Sequence, residues 1–173
     1  KAANWYPIAC VHDENGWNLD RYYAIGDPFY SDTANYEVTI KVPSDYVLAA
    51  TGDCKKEDGK SGNTVWKFHA PAVRDFAWIA SKDFQTASRR VGSATVTSYY
   101  YTEETGERAL DYAASAMKFY NQSFGKYPYR HFSVVEADFF IGGMEYPNLI
   151  MMDHNLYAPG ETDSLELVTA HET

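Results

Sequence analysis

Two short segments carry residue types that could do chemistry. The first is His171-Glu172, which the apolar pattern before it places on a helix. A His-Glu pair is the first half of His-Glu-x-x-His. In that motif residues four apart stack on one helix face, so two imidazoles can hold one zinc ion. The Glu beside the first His then reaches a metal-bound water and can take its proton. Taken alone, the two residues fit an ordinary polar pair near a surface equally well.

The second segment is Gly142-Gly143-Met144-Glu145-Tyr146-Pro147. Glycines let a backbone lie close to a ligand. The apolar run that follows, at 149–152, reads as an edge strand to which an extended peptide could add by β-pairing. Glu145 would then be a fixed negative charge at the end of that groove, selecting a positive group such as a free α-amino terminus. The plainer account is a Gly-Gly turn before a strand, with Glu145 in solvent.

The elements that must position these residues follow from hydrophobic periodicity. Tyr36, Val38, Ile40 and Val42 alternate with Glu37, Thr39 and Lys41, which predicts a strand with one apolar face, ended by Pro43. A second short strand is expected at 47–51 and a return strand at 64–69. The charged, glycine-bearing stretch 55–63 reads as the hairpin loop between them. Further strands are expected at 76–81, 95–101, 132–136 and 149–152. Leu110, Ala113, Ala114, Met117, Tyr120 and Phe124 recur at helical spacing. With Glu103, Glu104 and Glu107 near its start and Gly125 and Pro128 beyond its end, this predicts a helix over 104–124. Asp163 with Glu166 resembles a capping box that opens a last helix carrying Leu165, Val168 and His171. The change from a β-meander to mixed elements divides the chain into 1–94 and 95–173.

Composition narrows the function classes. The net charge of −9 disfavours nucleic-acid binding and docking on anionic membranes. A hydrophobic fraction of 45% and a charged fraction of 23% are those of a soluble globular chain. No apolar run is long enough to span a bilayer. Fifteen Tyr and four Trp suit β-rich structure. The chain starts at Lys1 with no signal-peptide pattern and reads as an excised or processed piece. Its compartment stays open. Cys10 and Cys54 could pair, although two isolated cysteines are more often plain buried residues. His12, His69, His131 and His154 have no partner at ligand spacing and read as surface or packed residues. Tyr99, Tyr100 and Tyr101 read as strand packing.

Taken in order, these segments resemble the M1-type zinc aminopeptidases. That family carries Gly-x-Met-Glu-Asn, followed after a short strand and loop by His-Glu-x-x-His. Here Gly142-Gly143-Met144-Glu145 and His171-Glu172 stand in that order. Trp5-Tyr6-Pro7 with Asp13 resembles an aromatic-Pro segment of the family's N-terminal domain. Gly26-Asp27-Pro28-Phe29-Tyr30 and Arg74-Asp75-Phe76-Ala77-Trp78 are similar to a bacterial branch. Tyr127-Pro128-Tyr129 resembles the Tyr-Pro after the first catalytic-domain helix. The likeness runs over nearly the whole chain.

The resemblance implies an α+β fold. Residues 1–94 would be part of a β-rich N-terminal domain of antiparallel sheets. Residues 95–173 would be the first, mixed α/β portion of a thermolysin-like catalytic domain. It implies that Glu145 binds the substrate's free amino terminus and that Gly142, Gly143 and Met144 lie against the substrate chain. It makes His171 the first zinc ligand and Glu172 the general base. One departure is Tyr146-Pro147 where the family has Asn. The second His would fall at position 175, and the later Glu ligand and transition-state Tyr are also not among these residues. The expectation is therefore a parent enzyme that removes N-terminal residues from peptides with zinc-activated water. The chain itself would bind no zinc stably and be inactive, and its truncated face, around Leu165, Val168 and Met151, would drive self-association. The other reading is a β-rich binding or scaffold module from a catalytically dead relative.

Overall fold

The computed structural model describes residues 1–26 and 30–173. Asp27, Pro28 and Phe29, from the 26–30 stretch, lie outside the described residues. The architecture is α+β and rich in strand. Strands β1 (His12–Asp13) and β2 (Gly16–Trp17) form a small hairpin. Strands β3 (Ala34–Pro43), β5 (Asp53–Asp58) and β6 (Asn63–Val73) make an antiparallel sheet in the order β3-β6-β5. Between them in sequence, β4 (Val47–Ala50) pairs with β7 (Trp78–Ser81). The alternation read from 36–42 is the alternation of β3: Ile40 is buried, and Tyr36, Val38 and Val42 pack with it against Phe68 and Phe76.

The stretch expected as a loop at 55–63 is instead mostly strand. β5 runs to Asp58 and pairs with β6, leaving only the turn around Gly59 and Gly62. All six of its residues are exposed, so it has no apolar face to show in sequence. Cross-strand charge helps hold it, as in Lys67 with Glu57 at 2.7 Å. Cys54 on this strand and Cys10 are both exposed and unpaired, so neither is the buried residue expected.

The remaining elements are β8 (Gln85–Val91), β9 (Ala94–Tyr100), α1 (Glu103–Ser123), β10 (His131–Ala137), β11 (Gly143–Tyr146), β12 (Leu149–Asp153), a 3₁₀ turn (His154–Tyr157) and α2 (Thr162–Glu172). The five strands form one sheet in the order β11-β12-β10-β9-β8. β9, β10 and β12 run parallel, and β8 and β11 are antiparallel edges. The division drawn at 94/95 falls at the start of β9, and β8 pairs with β9 across it. One face of this sheet carries α1 and α2 over Val96, Val134, Ile150 and Met152. The other packs Val135, Leu149 and Met151 against Ala49, Ala77 and Ile79 from β4 and the β7 region.

Three expectations are corrected here. The run at 149–152 is not an edge. β12 lies between β10 and β11, and Leu149, Ile150 and Met152 are fully buried. Its unbroken apolar character is that of a strand covered on both faces. The edge is β11 itself, the Gly-Met-Glu-Tyr segment. The capping box is absent as well: α2 is capped at Glu161 without a side-chain bond, so Asp163 sits inside the first turn and favours the helix by charge alone. Nor does the face around Leu165, Val168 and Met151 lie open. Leu165 and Met151 are each 1% exposed, and Val168 packs against the helix-side core. From residue 95 onward the exposed large apolar side chains among the described residues are Phe119, Phe124, Phe140, Ile141 and Leu167. No helix among the described residues is long and apolar enough to cross a membrane.

Candidate functional site

The two chemically interesting segments meet. Helix α2 lies across the edge strand β11, with Val168 above Gly142 and Glu172 above Gly143. The fit at Gly143 is close, and what it meets is the Glu172 side chain. A Cβ there would stand 2.6 Å from both Cγ and Oε1 of Glu172. At Gly142 a Cβ would meet Val168 at an ordinary 3.7 Å, so that position is less demanding. The Gly142 carbonyl accepts from the Asp153 amide (2.8 Å), which ties the start of the edge strand to the end of β12.

Side chains alternate along β11, so Gly143 and Glu145 share the face under α2 while Met144 and Tyr146 share the other. Glu145 is exposed and lies against Glu172. Glu172 is only 9% exposed, and its Oε2 is buried with no hydrogen-bond partner among the described residues. Burial raises its pKa most. A hydrogen bond with Glu145 and the Glu145 charge raise it further, against the opposing effect of His171, to about 7. That range suits a group that takes and returns a proton near neutral pH. His171, the preceding residue, is exposed rather than on the buried face with Leu165, which is made of Leu165, Thr169 and Glu172.

The other face of β11 meets the N-terminal half of the molecule. Tyr146 packs toward Ala49, Ala77 and Leu149, and its pKa is pushed up to about 12 by burial and then by the charges of Asp75 and Glu145. A cavity of about 300 Å³ is lined by Asn4, Arg74, Asp75, Met144, Glu145 and Tyr146. A larger one of about 800 Å³ lies against Trp5, Tyr22, Ile25, Phe140, Met144 and Tyr146. The segments Trp5-Tyr6 and Asp75-Phe76 touch directly: Trp5 Nε1 donates to the Phe76 carbonyl (3.0 Å) and Tyr6 Oη to Asp75 Oδ1 (2.8 Å). Asp75, quoted above only within the Arg74–Trp78 segment and with no site role, lines this cavity beside Glu145 together with Asn4. Asn4 holds a left-handed backbone (φ 52°), and its Nδ2 is buried without a partner among the described residues. Neither has a local sequence signal, because seventy residues of chain separate them.

Three of the other four histidines pair with carboxylates, while His12 packs edge-on against Trp17. His69 meets Glu37, His131 Nδ1 lies 3.3 Å from Asp53, and His154 Nδ1 lies 2.6 Å from Glu136. Glu136 is 1% exposed and also accepts from the Tyr101 amide (2.9 Å). Among the described residues no three His, Cys, Asp or Glu side chains gather as a metal site. His171 supplies one imidazole where a zinc site takes three protein ligands, so the residues present do not by themselves fit a zinc ion. No known family model matches the chain, and no curated protein matches it closely.

Proposed function

We propose that this chain is part of an M1-type zinc aminopeptidase, with a thermolysin-like catalytic portion beginning near residue 95. The observation that carries the reading is the contact of Glu145 with Glu172 across Gly143. It brings a Gly-Gly-Met-Glu edge strand and a His-Glu helix to one place, where each has a separate chemical use. An extended peptide laid along the free edge of β11 gains backbone hydrogen bonds. Its α-ammonium group is drawn to the Glu145 carboxylate, so a free amino terminus is bound in preference to a blocked one. Glu172, half-ionised near pH 7, is the group that takes a proton from water. On this reading His171 would be one zinc ligand of a set completed by other residues of a longer protein, and the ion would supply a more acidic bound water.

The test is hydrolysis by that longer protein loaded with zinc. It should release the first residue of unblocked peptides and spare N-acetylated ones. Equal cleavage of both would overturn the assignment to Glu145. A protein that binds unblocked peptides without cleaving them would favour the scaffold reading.

A further inference from the structure

Exposed apolar side chains gather at one place beside β11. Tyr22, Ile25 and Phe140 are 71%, 83% and 86% exposed, and Trp5 is exposed too. Scattered singly, such residues would need no account. Here they come from two distant parts of the chain and line one space, the cavity of about 800 Å³, together with Met144 and Tyr146. Among the described residues no carboxylate lines it. The charge at its wall is Lys1, whose Nζ sits over the Phe139 ring at 5.2 Å. The smaller cavity of about 300 Å³ has the opposite character. Asp75 and Glu145 both bring carboxylates to it, and Arg74 beside them donates to the Ser31 carbonyl at 3.2 Å. Asn4, Met144 and Tyr146 line both cavities, so the acidic space and the apolar one adjoin.

A ligand that fills both spaces needs an ammonium group at one end and an apolar group at the other. An unblocked peptide whose first side chain is large and apolar carries both within one residue. Resting on the role given to Glu145 above, we propose that the larger cavity receives the side chain of the peptide's first residue and selects a large apolar one. Tyr22 and Phe140 are its specificity-determining walls. The opposite face of β11 has no such room, because α2 closes over Gly143 so tightly that a Cβ there already meets Glu172. A small first side chain leaves Ile25 and Phe140 in water and gains nothing from them. A basic one finds Lys1 and no carboxylate.

The experiment is an NMR titration of this chain with phenylalaninamide, glycinamide, lysinamide and N-acetylphenylalaninamide. Phenylalaninamide should bind at least tenfold more tightly than glycinamide or lysinamide, and should shift the amides of Tyr22, Phe140 and Met144. Phe140→Ser and Tyr22→Ser replace exposed side chains, so the fold should persist. Each should bring phenylalaninamide down toward the glycinamide level and leave glycinamide binding unchanged. Loss of binding on acetylation with no preference for phenylalaninamide over glycinamide would overturn this inference and leave the role of Glu145 standing. An acetylated amide bound as tightly as the free amine would overturn the role of Glu145 and this inference with it. Lysinamide bound as tightly as phenylalaninamide would also overturn the inference. So would shifts of Tyr22 and Phe140 on simple dilution, since these would assign the apolar walls to contact between copies of the chain.

Discussion

The carboxylate of Glu145 helps hold the Glu172 carboxyl partly protonated near neutrality, its effect added to the larger one of burial. Glu145→Gln removes the charge and leaves the burial. The Glu172 pKa should fall from about 7 toward, but not to, its ordinary 4.5. A carboxyl ¹³C titration reads this directly. An unmoved Glu172 would mean that the two side chains do not sense each other. In the longer enzyme proposed above, the same change should chiefly weaken recognition of free amino termini.

Gly143→Ala tests the contact from the other side. The new methyl would sit 2.6 Å from Cγ of Glu172, so the glutamate or the end of α2 must move. Because the glutamate side chain can swing aside, the loss should stay at the low end of overpacking costs, about 1 kcal/mol or less. Denaturant unfolding should show that loss. The Glu172 titration should also drop toward ordinary values as the carboxyl is pushed into water. Gly142→Ala, which meets Val168 at 3.7 Å, should change both far less.

What could be foreseen in the sequence divides along burial. β3 and α1 each have one buried face, and their period of two or of 3.6 is visible in Tyr36 to Val42 and in Leu110 to Met117. β5 and β8 are exposed on nearly every residue and leave no pattern. β11 hides for another reason. Its two covered faces meet a helix and the N-terminal segment through Gly143 and Met144, and a glycine gives no hydrophobic signal. β12 was visible as a strand but misplaced at the edge, because an apolar run does not say which neighbours cover it. The proximity of Glu145 to Glu172 rests on how α2 crosses the sheet, a tertiary matter that spacing alone cannot supply. The pairing of buried Glu136 with exposed His154 is hidden likewise, since a strand-end glutamate is ordinarily solvated.

Acid should destabilise the fold through His131. Burial lowers its pKa, and the nearby Asp53 only partly opposes this. Its Nε2 is buried with no partner among the described residues. The folded state therefore binds fewer protons at this site than the unfolded chain, whose value is 6.5. The stabilisation is present above pH 6.5 and is lost as pH falls through the lower folded value. Glu172 works in the opposite sense. Its raised pKa gives stability that is full below 4.5 and lost as pH rises through about 7. Unfolding midpoints measured from pH 4 to 8 should show both slopes. His131→Gln should flatten the acid limb and Glu172→Gln the neutral one. A wild-type profile whose acid limb survives in His131→Gln would place the acid sensitivity elsewhere.

Gly106, in the first turns of α1, should tolerate no larger residue. A Cβ there would fall 1.9 Å from Cγ of Tyr100, whose ring is 4% exposed and wedged against the helix. The glycine carbonyl also accepts from Ser98 Oγ at 2.8 Å, which draws α1 close to β9. Helix propensity alone favours Gly106→Ala by about 1 kcal/mol. The overlap costs more, because the Tyr100 ring is enclosed and the backbone beside it is pinned by the Ser98 bond, so the helix must lift. The variant should lose roughly 1–2 kcal/mol net, or several degrees in Tm. Adding Tyr100→Ala to Gly106→Ala should recover the helix-propensity gain relative to Tyr100→Ala alone. If Gly106→Ala instead raises the Tm in the wild-type background, α1 does not rest on Tyr100 as closely as drawn.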